Sequence, residues 1–290
     1  MKSVTCLRIG CAAVLVAVSA APWPAADADS RETNPLGPSA VRVSNDRKTA
    51  YVVCEDAACL LFVDLDSGMV SARIPLPPRP TGLTLDRSAS RLYVTCAAAT
   101  SRIVVVDTVR QARVRTFPAG HTAVSPQLSP DGRRLYVCNR FDHCVSVMDP
   151  ATGAELAQVP VAREPIASAL TPDGTRLVVA NHLPRGPADG LLVQAQVDII
   201  ETAGFEATTV RLCDGSSGLR GLAISPDGRH AAVTHIVSNF DLPASHLDEG
   251  WMNNNSVSVI DLAAGRLVGN ALLDDRYAGA ANPWLSLIHI

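Results

Sequence analysis

Residues 129–149 read Ser-Pro-Asp-Gly-Arg-Arg-Leu-Tyr-Val-Cys-Asn-Arg-Phe-Asp-His-Cys-Val-Ser-Val-Met-Asp. The opening Ser129-Pro130-Asp131-Gly132 is turn chemistry: proline presets φ, aspartate accepts local N–H groups, and glycine supplies positive φ. Leu135–Cys138 and Val145–Met148 are short, rich in β-branched and aromatic residues, and lack a 3.6-residue period. They read as two strands of a hairpin.

The same unit occurs five times. Turns sit at Ser44–Arg47, Thr84–Arg87, Ser129–Gly132, Thr171–Gly174 and Ser225–Gly228, with their aspartates 40, 45, 42 and 54 residues apart. Each is followed by a strand such as Tyr51-Val52-Val53 or Leu92-Tyr93-Val94. A second strand then closes on an acid: Asp64, Asp107, Asp149, Glu201 or Asp261. Gly68, Gly153, Gly204 and Gly265 turn the chain after four of those acids, and a further strand follows, as in Val70–Leu76 and Glu155–Val161. A repeat of this period whose units are all strand means an all-β β-propeller of four-stranded antiparallel blades and excludes helical arrays. The strands of each blade are called A to D.

The repeat resembles the YVTN family of β-propellers. Tyr93-Val94-Thr95-Cys96 and Tyr136-Val137-Cys138-Asn139 approach the run that names the family, and the Ser-Pro-Asp-Gly turn and Val257–Asp261 match its pattern. No Trp-Asp pair ends a strand, so the sequence does not read as WD40. The resemblance covers residues 38–284 and implies a secreted or periplasmic propeller, usually closed with seven blades. It also implies that a longer relative carries a c-type haem module, which makes a c-type cytochrome module an expected partner. Five blades and the start of a sixth at Ala281–Trp284 are legible here. The expectation is a C-terminally incomplete member with an atypical, non-native tail at 285–290.

Lys2 and Arg8 precede an apolar run, Cys11–Ala21, too short for a bilayer-spanning anchor and followed by small residues. Residues 1–28 therefore read as a secretory signal peptide, which places the mature chain in a periplasmic or extracellular, oxidising compartment. No later segment suits membrane insertion. The formal charge is −3, and removing Lys2, Arg8 and Asp27 leaves −4, which argues against nucleic acid as a partner. There is no Cys-x-x-Cys-His, phosphate loop or Gly-x-Ser-x-Gly turn, so the expectation is no cofactor in this segment.

Strands alternate direction, so B–C and D–A loops share one face of the propeller. The distance from turn aspartate to closing acid is 18 residues in blades one and three and 21 in blade two. It grows to 28 and 34 in blades four and five. Both expansions fall in B–C loops, at 181–189 and 235–255, and loops on a rigid scaffold carry function. Candidate binding residues are therefore Asn139, His182, Arg185 and His235 at or beyond strand B, Asp241, His246 and Trp251 in the fifth insert, and Arg163, Glu164 and Arg220 leading into strand A. Such a set suits a small polar ligand or a partner protein. The same residue types also serve as turn caps and packing anchors. His182, His235, His246 and Asp248 share no metal-ligand spacing, so no metal site is expected.

Cys54/Cys59 and Cys138/Cys144 each bracket a B–C hairpin and are disulfide candidates, although Cys54 aligns with Asn139 rather than with Cys138. The reading favoured by these features is a binding scaffold. The alternative is a propeller enzyme, lactonase-like or a cofactor-dependent oxidoreductase, working at the channel mouth.

Overall fold

Each turn ties itself shut. Ser129 Oγ donates to Asp131 Oδ1 at 2.6 Å, the same carboxylate oxygen accepts the Arg133 N–H at 3.0 Å, and Ser129 Oγ accepts the Arg134 N–H at 2.9 Å. The arrangement recurs around Asp46, Asp173 and Asp227, whose carboxyls, like that of Asp131, the serine or threonine hydroxyl holds below the ordinary range. Gly132, Gly174 and Gly228 take positive φ, and Arg47 and Ala89 do so in the first two blades, where no glycine is available.

These turns join strands in a computed structural model that describes residues 35–187, 190–238 and 253–274. Blade one is β1 (Pro38–Val43), β2 (Thr49–Cys54), β3 (Cys59–Asp64) and β4 (Val70–Pro75). Blade two is β5 (Pro80–Leu85), β6 (Arg91–Cys96), β7 (Ser101–Asp107) and β8 (Ala112–Ala119). Blade three is β9 (Ala123–Leu128), β10 (Leu135–Asn139), β11 (Cys144–Met148) and β12 (Glu155–Pro160). Blade four is β13 (Arg163–Leu170), β14 (Arg176–Leu183), β15 (Gln196–Glu201) and β16 (Ala207–Arg211). All four are antiparallel sheets in sequence order, and no helix occurs among the described residues.

Blade five departs from this pattern. Its innermost strand is split into β17 (Ser216–Ser217) and β18 (Leu222–Ile224), both paired with β19 (His230–Ser238), and β20 (Asn253–Asp261) and β21 (Arg266–Leu272) complete the sheet. β19 and β20 stay in register for nine consecutive pairs, from His230↔Asp261 to Ser238↔Asn253. The expected loop from His235 to Asn255 therefore begins and ends as a two-stranded ribbon, and β17 follows that ribbon outward. The expected sixth strand at 281–284, the tail at 285–290 and the signal segment at 1–28 lie outside the described residues.

Alternation along strand B explains why its residues are apolar throughout. In β10, Leu135 and Val137 pack with Tyr93, Ile103 and Phe117 of blade two, whereas Tyr136 and Cys138 pack with Leu177 and Val179 of blade four. A strand covered on both faces needs apolar residues on both. Nearer the axis, hydroxyls tie neighbouring A strands together: Ser39 Oγ donates to Pro80 O at 2.9 Å and Thr81 Oγ1 to Ala123 O at 2.7 Å. Ser168 Oγ donates in the same way to Ser125 O at 2.8 Å.

The register corrects two readings of the sequence. Cys138 faces Val145, and Cys144 faces Asn139, so the two cysteines project from opposite faces of the sheet and cannot bridge. In blade four the positive φ after the closing acid belongs to Phe205 rather than to Gly204. Cys54 and Cys59 do stand directly opposite one another, and all six described cysteines are free thiols.

A charged rim between blades three and five

The B–C and D–A loops bring together the end of one blade's strand B and the lead into the next blade's strand A. The lead-in residue is left-handed at Arg79 (φ 55°), Thr122 (φ 55°) and Glu164 (φ 59°), so the conformation belongs to the repeat. At Arg79 and Glu164 the side chain reaches a charged partner on the preceding blade. At the junction of blades three and four, Arg140 Nε and Nη2 both donate to Glu164 Oε2, at 3.1 and 2.8 Å. Glu164 is 9% exposed, and Arg163 Nε lies 3.9 Å from its other oxygen. The Glu164 N–H donates to His143 Nδ1 at 3.1 Å, which leaves the imidazole proton on Nε2.

The contact continues into the next junction. His182 stands opposite Glu164 across the β13–β14 pair. Its Nδ1 donates to Leu219 O at 3.0 Å, and the Leu219 N–H returns a bond to His182 O at 3.1 Å. Burial, helped by the fields of Arg140 and Arg220, pushes the His182 pKa down, so the ring is neutral at neutral pH and presents its Nε2 lone pair. Burial, then the charge of Arg140, lowers the Arg220 pKa as well. Outside this line, the Phe141 ring is 47% exposed, edge-on to His121 at 5.2 Å and capped by the Arg140 guanidinium at 5.2 Å.

Of the ten binding candidates, the structure thus gathers Arg163, Glu164, His182 and Arg220 on one rim. Arg185 is exposed on the fourth-blade insert. Asp241, His246 and Trp251 lie outside the described residues. Asn139 and His235 are not rim groups, because both are turned into their own sheets. Asn139 is fully buried and donates to Ser146 Oγ at 2.6 Å, and Ser146 donates to Glu155 at 2.5 Å. His235 is 2% exposed with Nε2 2.8 Å from Ser258 Oγ, and burial lowers its pKa.

In blade four the equivalent pair is Asn181 and Asp198, and the sequence reading did not single out Asp198. Asp198 is 1% exposed, accepts from Asn181 Nδ2 at 2.9 Å and Thr209 Oγ1 at 2.5 Å, and receives the Ala162 N–H at 2.8 Å. Arg140, Phe141 and His143 were missed too. A signal existed for Arg140: it occupies the register position of Glu55, which pairs with Arg79 at the first junction. Among the described residues, no three His, Cys, Asp or Glu side chains converge as metal ligands would.

The radial blades and the loop-built rim define a β-propeller with one elaborated face. The chain is similar to hydrazine synthase subunit beta of Kuenenia stuttgartiensis, at 33% identity over 92 residues, or 32% of this chain. That match spans only 24% of the subunit's own length. Among solved structures, Kuenenia stuttgartiensis hydrazine synthase superposes with a TM-score of 0.79 at 24% identity, covering 89% of this chain and 72% of that one. The WD40 repeats of RRP9 and the U3-55K structure superpose with TM-scores of 0.63 and 0.62 at 13% and 14% identity. Each covers 82% of this chain and 64% of its own. The chain shares the propeller architecture with these neighbours although its own strands end on no Trp-Asp pair. No family model matches the chain, and its likeness to the YVTN family rests on the repeat motifs.

Proposed function

We propose that the chain is an exported scaffold subunit that docks a partner protein on the face carrying the B–C and D–A loops, the partner bearing a c-type haem. The observation that carries this reading is the rim itself. Arg140, Arg163 and His182 gather at Glu164, Arg220 follows Leu219 at the next junction, where Leu219 pairs with His182, and a half-exposed Phe141 stands beside Arg140. Arginine and aromatic side chains on a rigid frame are the groups from which interface anchors are made. The relative's name, a subunit of a synthase, supports a role within an assembly. The c-type haem of the partner is inferred from the YVTN resemblance, and export from the leader-like residues 1–28.

Photo-crosslinking in the producing cells tests this. A photoreactive residue at Phe141 is expected to capture one partner, and the same residue at Arg133, in an A–B turn on the other face, is expected to capture none. Equal capture from both positions, or none from either, overturns the face assignment. A captured partner that fails a haem stain overturns the haem assignment alone.

A further inference from the structure

The hairpin of blade one carries a feature that docking does not use. Cys54 and Cys59 end β2 and β3, face each other directly in the register, and are each 1% exposed. Directly opposed residues on antiparallel strands have Cα atoms about 4.5–5.5 Å apart, inside the span a disulfide accepts. Neither sulfur needs a change of strand register to reach the other. The remaining thiols differ: Cys138 and Cys144 are on opposite faces, and Cys96 stands opposite Arg102. We infer that Cys54 and Cys59 are a specific dithiol–disulfide pair that locks the first B–C hairpin when a disulfide oxidant is present.

The chemistry is thiol–disulfide exchange. One protein thiol loses its proton and attacks a sulfur of the oxidant's disulfide, expelling one oxidant thiolate, which takes up that proton. The second protein thiol, deprotonated in turn, attacks the mixed disulfide, closes the Cys54–Cys59 bond and releases the second oxidant thiol. Two protein thiols are oxidised and one disulfide is reduced to two thiols, with no net proton change. Burial pushes the Cys54 thiol up to about 11, which slows attack from the packed hairpin. The bridge therefore forms fastest while the hairpin is folding, before blade one is covered. Once closed, it holds the loop from which Glu55 reaches Arg79 of blade two, 3.3 Å away.

The test is independent of the docking proposal. The chain is refolded in glutathione buffers of increasing oxidised fraction, free thiols are alkylated, and the protein is cleaved at Lys, Arg and Glu55 so that Cys54 and Cys59 part unless bridged. The expected result is one linked pair, 54–59, appearing with the oxidised fraction while Cys96, Cys138, Cys144 and Cys213 remain alkylated. The wild-type midpoint of thermal unfolding should rise on oxidation, and that of C54S/C59S should not. Alkylation of both Cys54 and Cys59 under the most oxidising buffer, or a link from either to another cysteine, overturns the inference. Should C54S/C59S not fold, the peptide map of the wild-type chain decides by itself.

Discussion

Asp198 shows how one residue can join two levels of the structure. It accepts from Asn181 and Thr209 within its own sheet and from the Ala162 N–H in the segment joining blades three and four. Asp198→Ala leaves those donors without their acceptor inside a dry region, at a cost of about 3 kcal/mol. Equilibrium urea unfolding should show that loss, whereas Asp64→Asn, at an exposed C–D turn, should scarcely move the midpoint. A small effect at Asp198 would mean that the three bonds are replaced at little cost. The residue illustrates a limit of sequence reading. Val197-Asp198-Ile199 has the same apolar-polar-apolar pattern as Val145-Ser146-Val147, and nothing local tells an acid buried across three strands from one in a turn. Asn139 and His235 were misread for the matching reason: a polar residue at a strand end looks like a rim group until the register places it opposite strand C.

At the scale of elements, the turns carry the most legible information because their chemistry is local. Gly132 and Gly153 both have positive φ, yet their surroundings differ. A Cβ at Gly132 would meet open space, whereas one at Gly153 would lie 2.7 Å from the Phe117 ring of blade two. Gly132→Ala should therefore cost only backbone strain, about 1 kcal/mol. Gly153→Ala adds a clash with a buried aromatic and should cost roughly 1–3 kcal/mol more. Thermal unfolding of the two variants reads the difference, and equal losses would mean that Phe117 moves aside freely. The same contrast explains what the repeats revealed. Strands and turns follow from short-range pattern, so the blades were legible. Phe205 taking the left-handed position beside an available Gly204, and β19 and β20 running on as a ribbon, follow from packing and long pairing that no five-residue window contains.

At the scale of the whole molecule, stability depends on how each blade grips the next, and the two charged junctions permit a controlled comparison. Glu55–Arg79 and Arg140–Glu164 occupy equivalent places with the charges exchanged, so neither sign is required by the fold. Their environments differ in solvent access. The first pair has side chains 66% and 37% exposed on Arg79 and Glu55, against 28% and 11% on Arg140 and Glu164. An exposed pair is screened and pays side-chain entropy, so its coupling should stay below about 0.5 kcal/mol. The sheltered pair, with two donors on one carboxylate oxygen, should couple by about 1.5 kcal/mol. Double-mutant cycles using Ala at Arg79 and Arg140 and Gln at Glu55 and Glu164 measure both values in one chain. If the couplings are equal, the clasp is merely a property of the repeat. If Arg140–Glu164 is the stronger, the junction beneath the proposed docking face is the rigid one, which is where a recognition surface needs support.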